Sequence, residues 1–219
     1  MEKLVIFDID GVLLNHNKGF MRYLGELNTV SVEGFAALQK AYDSKPIGGF
    51  DFRDILVGED SAAAIKAIRA FNCDHRFGIL GRYPGTDPLN GFKDLAVFAY
   101  VSSCGVLPFT IQNRIKNITN YFPDLFTMAY HLPALSSKKE TLASLCAGRD
   151  LSKILYIEDT VKHIKDAVDL GIPSILVAHG SKESEVGDWL CLTDNQPVVP
   201  IAHASYELVY MVEKFLHQS

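Results

Sequence analysis

No run of apolar residues in this sequence approaches the roughly 20 needed to cross a bilayer, so a membrane-spanning helix is not expected. Cysteine is scarce. Cys73, Cys104, Cys146 and Cys191 lie far apart and form no C-x-x-C pair, which argues against a zinc ribbon or a disulfide scaffold and predicts buried, reduced thiols. There is no Lys/Arg-rich block, and a net charge of −5 gives no broad attraction to nucleic acid, although a local cationic pocket for a small phosphate is compatible with it. Met1-Glu2-Lys3 is followed by only four apolar residues before Asp8, too few for a signal core, and the expectation is a cytoplasmic protein. Asn117-Ile118-Thr119 fits a glycosylation sequon, but without a secretion signal it reads as a chance match. Internal repeats and low-complexity segments are also missing.

What the 219 residues do contain is an ordinary globular composition, 48% hydrophobic and 21% charged, enough for one ordinary domain or for a domain of about 150 residues with a smaller insertion. Four short apolar runs recur, Leu4 to Phe7, Ala96 to Val101, Ile154 to Ile157 and Ser174 to Ala178, with a weaker one near Phe126 to Tyr130. They lack polar alternation, as strands covered on both faces do, and such strands are usually parallel. Helical stripes separate them: Ile111, Ile115 and Ile118; Val161, Ile164 and Val168; Leu208, Met211, Val212 and Phe215. Alternating strand and helix predict an α/β fold, a Rossmann-like open parallel sheet with helices on both faces. Gly171-Ile172-Pro173 is a helix stop.

Residues 15–83 break the alternation. Phe20, Tyr23, Leu24 and Leu27 form one helical stripe and Phe35, Leu38 and Tyr42 another, while Ile65 and Ile68 mark a helix capped by Asp60 or Ser61. Tyr83-Pro84-Gly85 is a turn that returns the chain to the sheet. The expected division is a core of residues 1–14 and 84–219 with a small α-helical cap at 15–83.

Chemistry concentrates first in Leu4-Val5-Ile6-Phe7-Asp8-Ile9-Asp10-Gly11, where a buried strand runs into two carboxylates. Ligands of open α/β sheets bind at the carboxyl ends of the strands. Acids at i and i+2 of a strand point the same way and repel unless a cation or shared proton intervenes, which suits a hard cation such as Mg²⁺. The plain alternative is a capped turn or a solvated strand end. An EF-hand fits poorly, because Gly19 stands where its last ligand, Glu, belongs.

Other strand ends and one helix start also carry polar groups. Ser102 and Ser103 follow Val97 to Val101, and Glu158-Asp159 follows Ile154 to Ile157. Ser137-Lys138-Lys139-Glu140 has the form of a capping box, which puts two lysines in a first helical turn against the helix dipole. Each group has a structural alternative, a strand end, an N-cap or solvated lysines.

In order and context these four elements resemble the motifs of the haloacid dehalogenase superfamily, whose phosphatases open with apolar residues and D-x-D-G. The resemblance implies Asp8 as a nucleophile that becomes an aspartyl phosphate and Asp10 as general acid and base. It further implies Ser102, or Ser103 one position on, as the hydroxyl on the phosphoryl group, and Lys138, or Lys139, as the ammonium that neutralises it. Gly11 would join Ser102, Ser103 and Lys138 around the phosphate, and Asp8, Asp10, Glu158 and Asp159 would surround Mg²⁺. A G-K-P signature is missing before the lysine.

The function so implied is Mg²⁺-dependent hydrolysis of a small phosphorylated metabolite, by a monomer or weak homodimer without nucleic-acid or membrane partners. The alternatives are a phosphomutase of the same superfamily and a catalytically silent binding module. A dehalogenase is disfavoured, because a halide needs no proton from Asp10. A phospho-signalling receiver is disfavoured because no aspartate ends the strand near Phe126 to His131. His16, His131, His163 and His179 are assigned no catalysis, and Arg22, Lys45, Arg53, Arg82 and a Gly48-Gly49 loop are the cap's candidate substrate contacts.

Overall fold

The structure, a computed structural model, describes residues 2–26, 36, 40, 61–179 and 199–218, with the side chains of 61–65 left aside. Among these residues one sheet holds β1 (Leu4–Phe7), β2 (Val97–Ser102), β3 (Met128–His131), β4 (Ile154–Glu158), β5 (Ser174–Val177) and β6 (Ile201–Ala202). The order is β3-β2-β1-β4-β5-β6, and every pair is parallel. All four residues of β1 and all five of β4 are buried, which is why their sequences run apolar without alternation. The short pair in β6 was not anticipated, since two residues carry no periodic signal.

Side-chain alternation sorts the core into two layers. Val5, Phe7, Phe98, Tyr100, Leu155 and Ile157 pack on one face against α3 (Pro108–Tyr121) and α6 (Ser205–His217). Leu4, Ile6, Ala99, Val101, Ile154 and Tyr156 pack on the other against α4 (Lys139–Cys146) and α5 (Val161–Asp169). The expected parallel sheet with helices on both faces is therefore present. After α5, Gly171 adopts φ +75°, and Ile172 N–H reaches Ala167 O at 3.0 Å, closing the helix as Gly-Ile-Pro predicts.

The described part of the insertion is helical, with α1 (His16–Glu26) and α2 (Ser61–Cys73). Phe20, Tyr23, Leu24 and Phe71 bury there and continue the first core layer. Leu27, Phe35, Leu38, Tyr42, Lys45, Gly48, Gly49, Arg53 and Asp60 lie outside the described residues, as does Cys191. Gly85, at φ +86°, completes the return turn, and Tyr83 N–H bonds Leu13 O at 2.9 Å. Cys73, Cys104 and Cys146 are free thiols, and among the described residues no helix is long and apolar enough to cross a membrane.

Two local expectations are corrected. The buried stripe of α3 is Thr110, Asn113, Arg114, Asn117 and Ile118, whereas Ile115 is exposed. Polar residues win the inner face because they have fixed partners: Asn113 Nδ2 donates to Asp74 O at 3.0 Å and Asn117 Nδ2 to Phe77 O, tying α3 to the insertion's return segment. The capping box does not form either. Helix α4 starts at Lys139 with Lys138 at the cap, and Ser137 Oγ accepts from Lys139 N–H while donating to Asp166. The reason is electrostatic: the Lys138 side chain is drawn inward to carboxylates.

Candidate functional site

From β1 the chain winds outward through β2 to β3 and then returns to β4 on the other side of β1, so the crevice between β1 and β4 is the switch point of the sheet. Asp8 ends one of these strands and Glu158 the other, and Asp8 N–H still bonds Ile157 O at 2.8 Å. Carboxylate oxygens of Asp8, Glu158 and Asp159 lie within 4.8 Å of one another. Lys138 enters from the start of α4, where its Nζ donates to Asp8 Oδ1 at 2.5 Å and Glu158 Oε2 at 2.7 Å. Glu158 is a hub: Oε2 also accepts from Tyr156 OH at 2.5 Å and lies 3.2 Å from His163 Nδ1, while Oε1 accepts the N–H groups of Asp159 and Thr160 at 3.1 Å.

Three acids against one ammonium leave negative charge uncompensated in a buried site. Burial, then the neighbouring Glu158, push Asp8 up to about 7 despite Lys138. Asp159 is raised well above the usual carboxylate range by burial, Glu158 and Asp8. Burial opposes ionisation of Glu158 as well, but Lys138 and His163 outweigh it and hold Glu158 low. Burial likewise works against the Lys138 ammonium, yet Asp8 and Glu158 prevail and raise it. Such a donor set fits a hard divalent cation, since Mg²⁺ prefers carboxylate oxygens and supplies the missing charge.

A proton-linked prediction follows from these directions. Cation binding must displace the proton that burial favours on Asp8, so apparent Mg²⁺ affinity is expected to fall as pH drops below about 7, roughly tenfold per unit for that proton. The cation-free protein shows the complementary sign. With Asp8 raised above its ordinary 3.8, the folded chain binds the extra proton, so this contribution to stability is present in acid and lost as pH rises through about 7. Calorimetric Mg²⁺ titration at pH 6, 7 and 8 in buffers of different ionisation enthalpy checks the first and urea unfolding without Mg²⁺ over the same range the second; a flat affinity with no proton release contradicts the one, and no pH-dependent loss of stability contradicts the other.

Gly11 explains how the loop after β1 admits the acids. Its φ is +83°, and a Cβ there would fall on the Asp159 carboxylate. Gly11→Ala is therefore expected to weaken Mg²⁺ binding at least about tenfold by displacing Asp159, and an unchanged Mg²⁺ titration would remove Gly11 from the site.

Asp10 departs from the expectation that it shares a cation with Asp8. Strand β1 ends at Phe7 and the chain folds back, with Leu13 and Leu14 N–H bonded to Ile9 O, so strand parity is lost before Asp10, whose Oδ2 instead accepts from Arg114 Nη2 on α3. The metal-candidate cluster among the described residues contains Asp8, Glu158 and Asp159 but not Asp10. Ser102 is fully buried, with an Oγ that has no partner among the described residues, while Ser103 Oγ donates to Ser136 O at 3.3 Å. Lys138 is 2% exposed, whereas Lys139 is an exposed side chain 3.6 Å from Asp169.

Of the histidines, His163 alone among those described touches the acidic cluster. His16 pairs with Asn72, His131 with Tyr100, and His179 donates to Val12 O at 2.9 Å while stacked on Tyr83. Of the candidate cap cations, the two described are occupied: Arg22 pairs with Glu26 and Arg82 with Asp87. Arg114 and Tyr156 went unnoticed in the sequence. A polar residue on a helix reads as solvated and a tyrosine in an apolar strand reads as core; only the Thr110-Asn113-Arg114-Asn117 spacing hinted at a buried polar stripe.

No protein-family model matches the chain, and no curated protein is significantly similar to it. Solved structures do match. A Clostridium difficile protein provisionally named a phosphatase superposes with a TM-score of 0.65 at 18% identity, covering 98% of each chain. The L-2-haloacid dehalogenase of Xanthobacter autotrophicus, with chloropropionic acid covalently bound, gives 0.60 at 14% identity, over 97% of this chain and 99% of that one. A Bacillus subtilis protein bound to magnesium, provisionally named a haloacid dehalogenase-type hydrolase, gives 0.59 at 16% identity, over 96% of this chain and 98% of that one. The chain thus has the fold of the haloacid dehalogenase-like hydrolases.

Proposed function

We propose that this chain is a Mg²⁺-dependent phosphatase that hydrolyses a small phosphate monoester through an aspartyl phosphate on Asp8. The observation that carries the reading is the buried Lys138 ammonium clamped between Asp8 and Glu158 beside Asp159 at the switch point. Asp8 and Asp159, with Glu158 behind them, would hold Mg²⁺, which supplies the positive charge that lets a carboxylate approach a phosphate dianion. Lys138 adds a second cation on the nucleophile, and the Ser102 hydroxyl, without a partner among the described residues, is suited to donate to a phosphoryl oxygen.

An Asp8 oxygen attacks phosphorus, the bond to the ester oxygen breaks, and the leaving alkoxide takes a proton from Asp10. Water then gives a proton to Asp10 and attacks the same phosphorus. The bond to Asp8 breaks, which restores both carboxyl groups and releases phosphate. Asp10 sets this chemistry apart from that of the dehalogenase with a similar fold, because an alkoxide needs a proton and a halide does not. In this reading residues 15–83 act as a cap that closes over the core of residues 1–14 and 84–219 and selects the substrate. A screen of phosphorylated metabolites for phosphate release, with and without EDTA, tests the assignment. Release that EDTA abolishes supports it, an isomerised sugar phosphate without free phosphate points to a mutase, and no turnover or binding of any phosphate ester contradicts it.

A further inference from the structure

Arg114 is the largest fully buried side chain described, and burying a guanidinium costs several kcal/mol unless its partners repay it. An apolar residue on this inner face of α3 would avoid that cost, yet isoleucines lie at neighbouring positions turned further outward. The guanidinium carbon lies 4.4 Å from the centroid of the Phe77 ring and Nη2 donates to Asp10 Oδ2, while Nε and Nη1 have no hydrogen-bond partner among the described residues. Asp10 Oδ1 is likewise buried and has no partner among the described residues.

We infer that Arg114 is a positioning residue for Asp10: it occupies and anchors Oδ2, and leaves Oδ1 as the oxygen that exchanges protons with the leaving group and the attacking water. The inference rests on the phosphatase reading above. Proton transfer depends steeply on placement, and a displacement of about 1 Å costs on the order of 100-fold. Phe77 belongs to the insertion's return segment, and Asn117 donates to its carbonyl, so the edge of the insertion holds the arginine that holds the acid.

The two half-reactions separate positioning from general damage. An aryl phosphate expels a stable phenolate that needs no proton, whereas its phosphoenzyme still needs Asp10 to activate water. Arg114→Met is expected to slow hydrolysis of an alkyl phosphate about 100-fold, and with 4-nitrophenyl phosphate to release close to one equivalent of nitrophenolate per enzyme in a burst before slow turnover. Asp10→Asn should show the same pattern, the double variant should lose little more than either alone, and Arg114→Lys should fall between. If Arg114→Met does not fold, Arg114→Lys carries the same burst measurement. Equal losses on both substrates without a burst, or full additivity with Asp10→Asn, would overturn the positioning role while leaving the phosphatase intact. A wild-type enzyme without turnover overturns the function and this role together.

Discussion

Asp8→Asn is expected to abolish phosphate-ester turnover, by at least about 10⁴-fold, while leaving the fold intact and the metal-free protein at least as stable as wild type at pH 7.5. The two halves have one cause. The same burial and crowding by Glu158 that push Asp8 up to about 7 make its charge a liability in the absence of a cation. An isosteric amide keeps the shape and removes that charge, at the expense of the nucleophile and of a cation ligand. The thermal midpoint measured with and without Mg²⁺ should show a large ligand-induced rise for wild type and a much smaller one for the variant. Retained activity would refute the nucleophile, and a sharply destabilised apo variant would refute the account of its strain.

The second large effect belongs to Lys138. Lys138→Met takes a buried ammonium away from Asp8 and Glu158, and breaking a buried pair from one side typically costs about 3–5 kcal/mol. Urea unfolding at pH 7.5 without Mg²⁺ should show that loss. Part of it should return at pH 5, where the raised Asp8 is protonated and no longer demands a counter-charge. Activity should fall by about 10²–10³-fold even where the protein is folded, since an electrostatic donor at the reacting group is gone. Lys139→Met, on an exposed side chain with one long contact, should change stability by no more than about 0.5 kcal/mol. The reverse ranking of the two lysines would move the site.

The sheet was legible because its strands are buried on both faces. Leu4–Phe7 was bounded correctly from its apolar run, and the runs at 97–102, 154–158 and 174–177 fell within a residue of expectation. Carboxylates after a buried strand marked Asp8, Glu158 and Asp159, and the structure draws these three together with Lys138. What failed did so where tertiary partners override local pattern. Ser137 to Glu140 has capping-box chemistry, but the attraction of Lys138 to two acids moved the helix start to Lys139. The isoleucine stripe of α3 obeyed the helical period but lost the inner face to Asn113, Arg114 and Asn117, whose partners lie some 40 to 100 residues away in sequence. The i, i+2 rule for Asp8 and Asp10 holds only while the chain stays extended, and β1 ends at Phe7, before either acid.

The central claim is that phosphate passes through a covalent bond to Asp8, and trapping that bond tests it most directly. Wild-type protein incubated with Mg²⁺ and a radiolabelled phosphate ester is quenched in acid, reduced with borohydride to convert an acyl phosphate to an alcohol, and mapped by peptide mass spectrometry. The account predicts homoserine at position 8 alone, formed only when Mg²⁺ and substrate are present. Hydrolysis that proceeds with position 8 unmodified, or with the label on another residue, would contradict it.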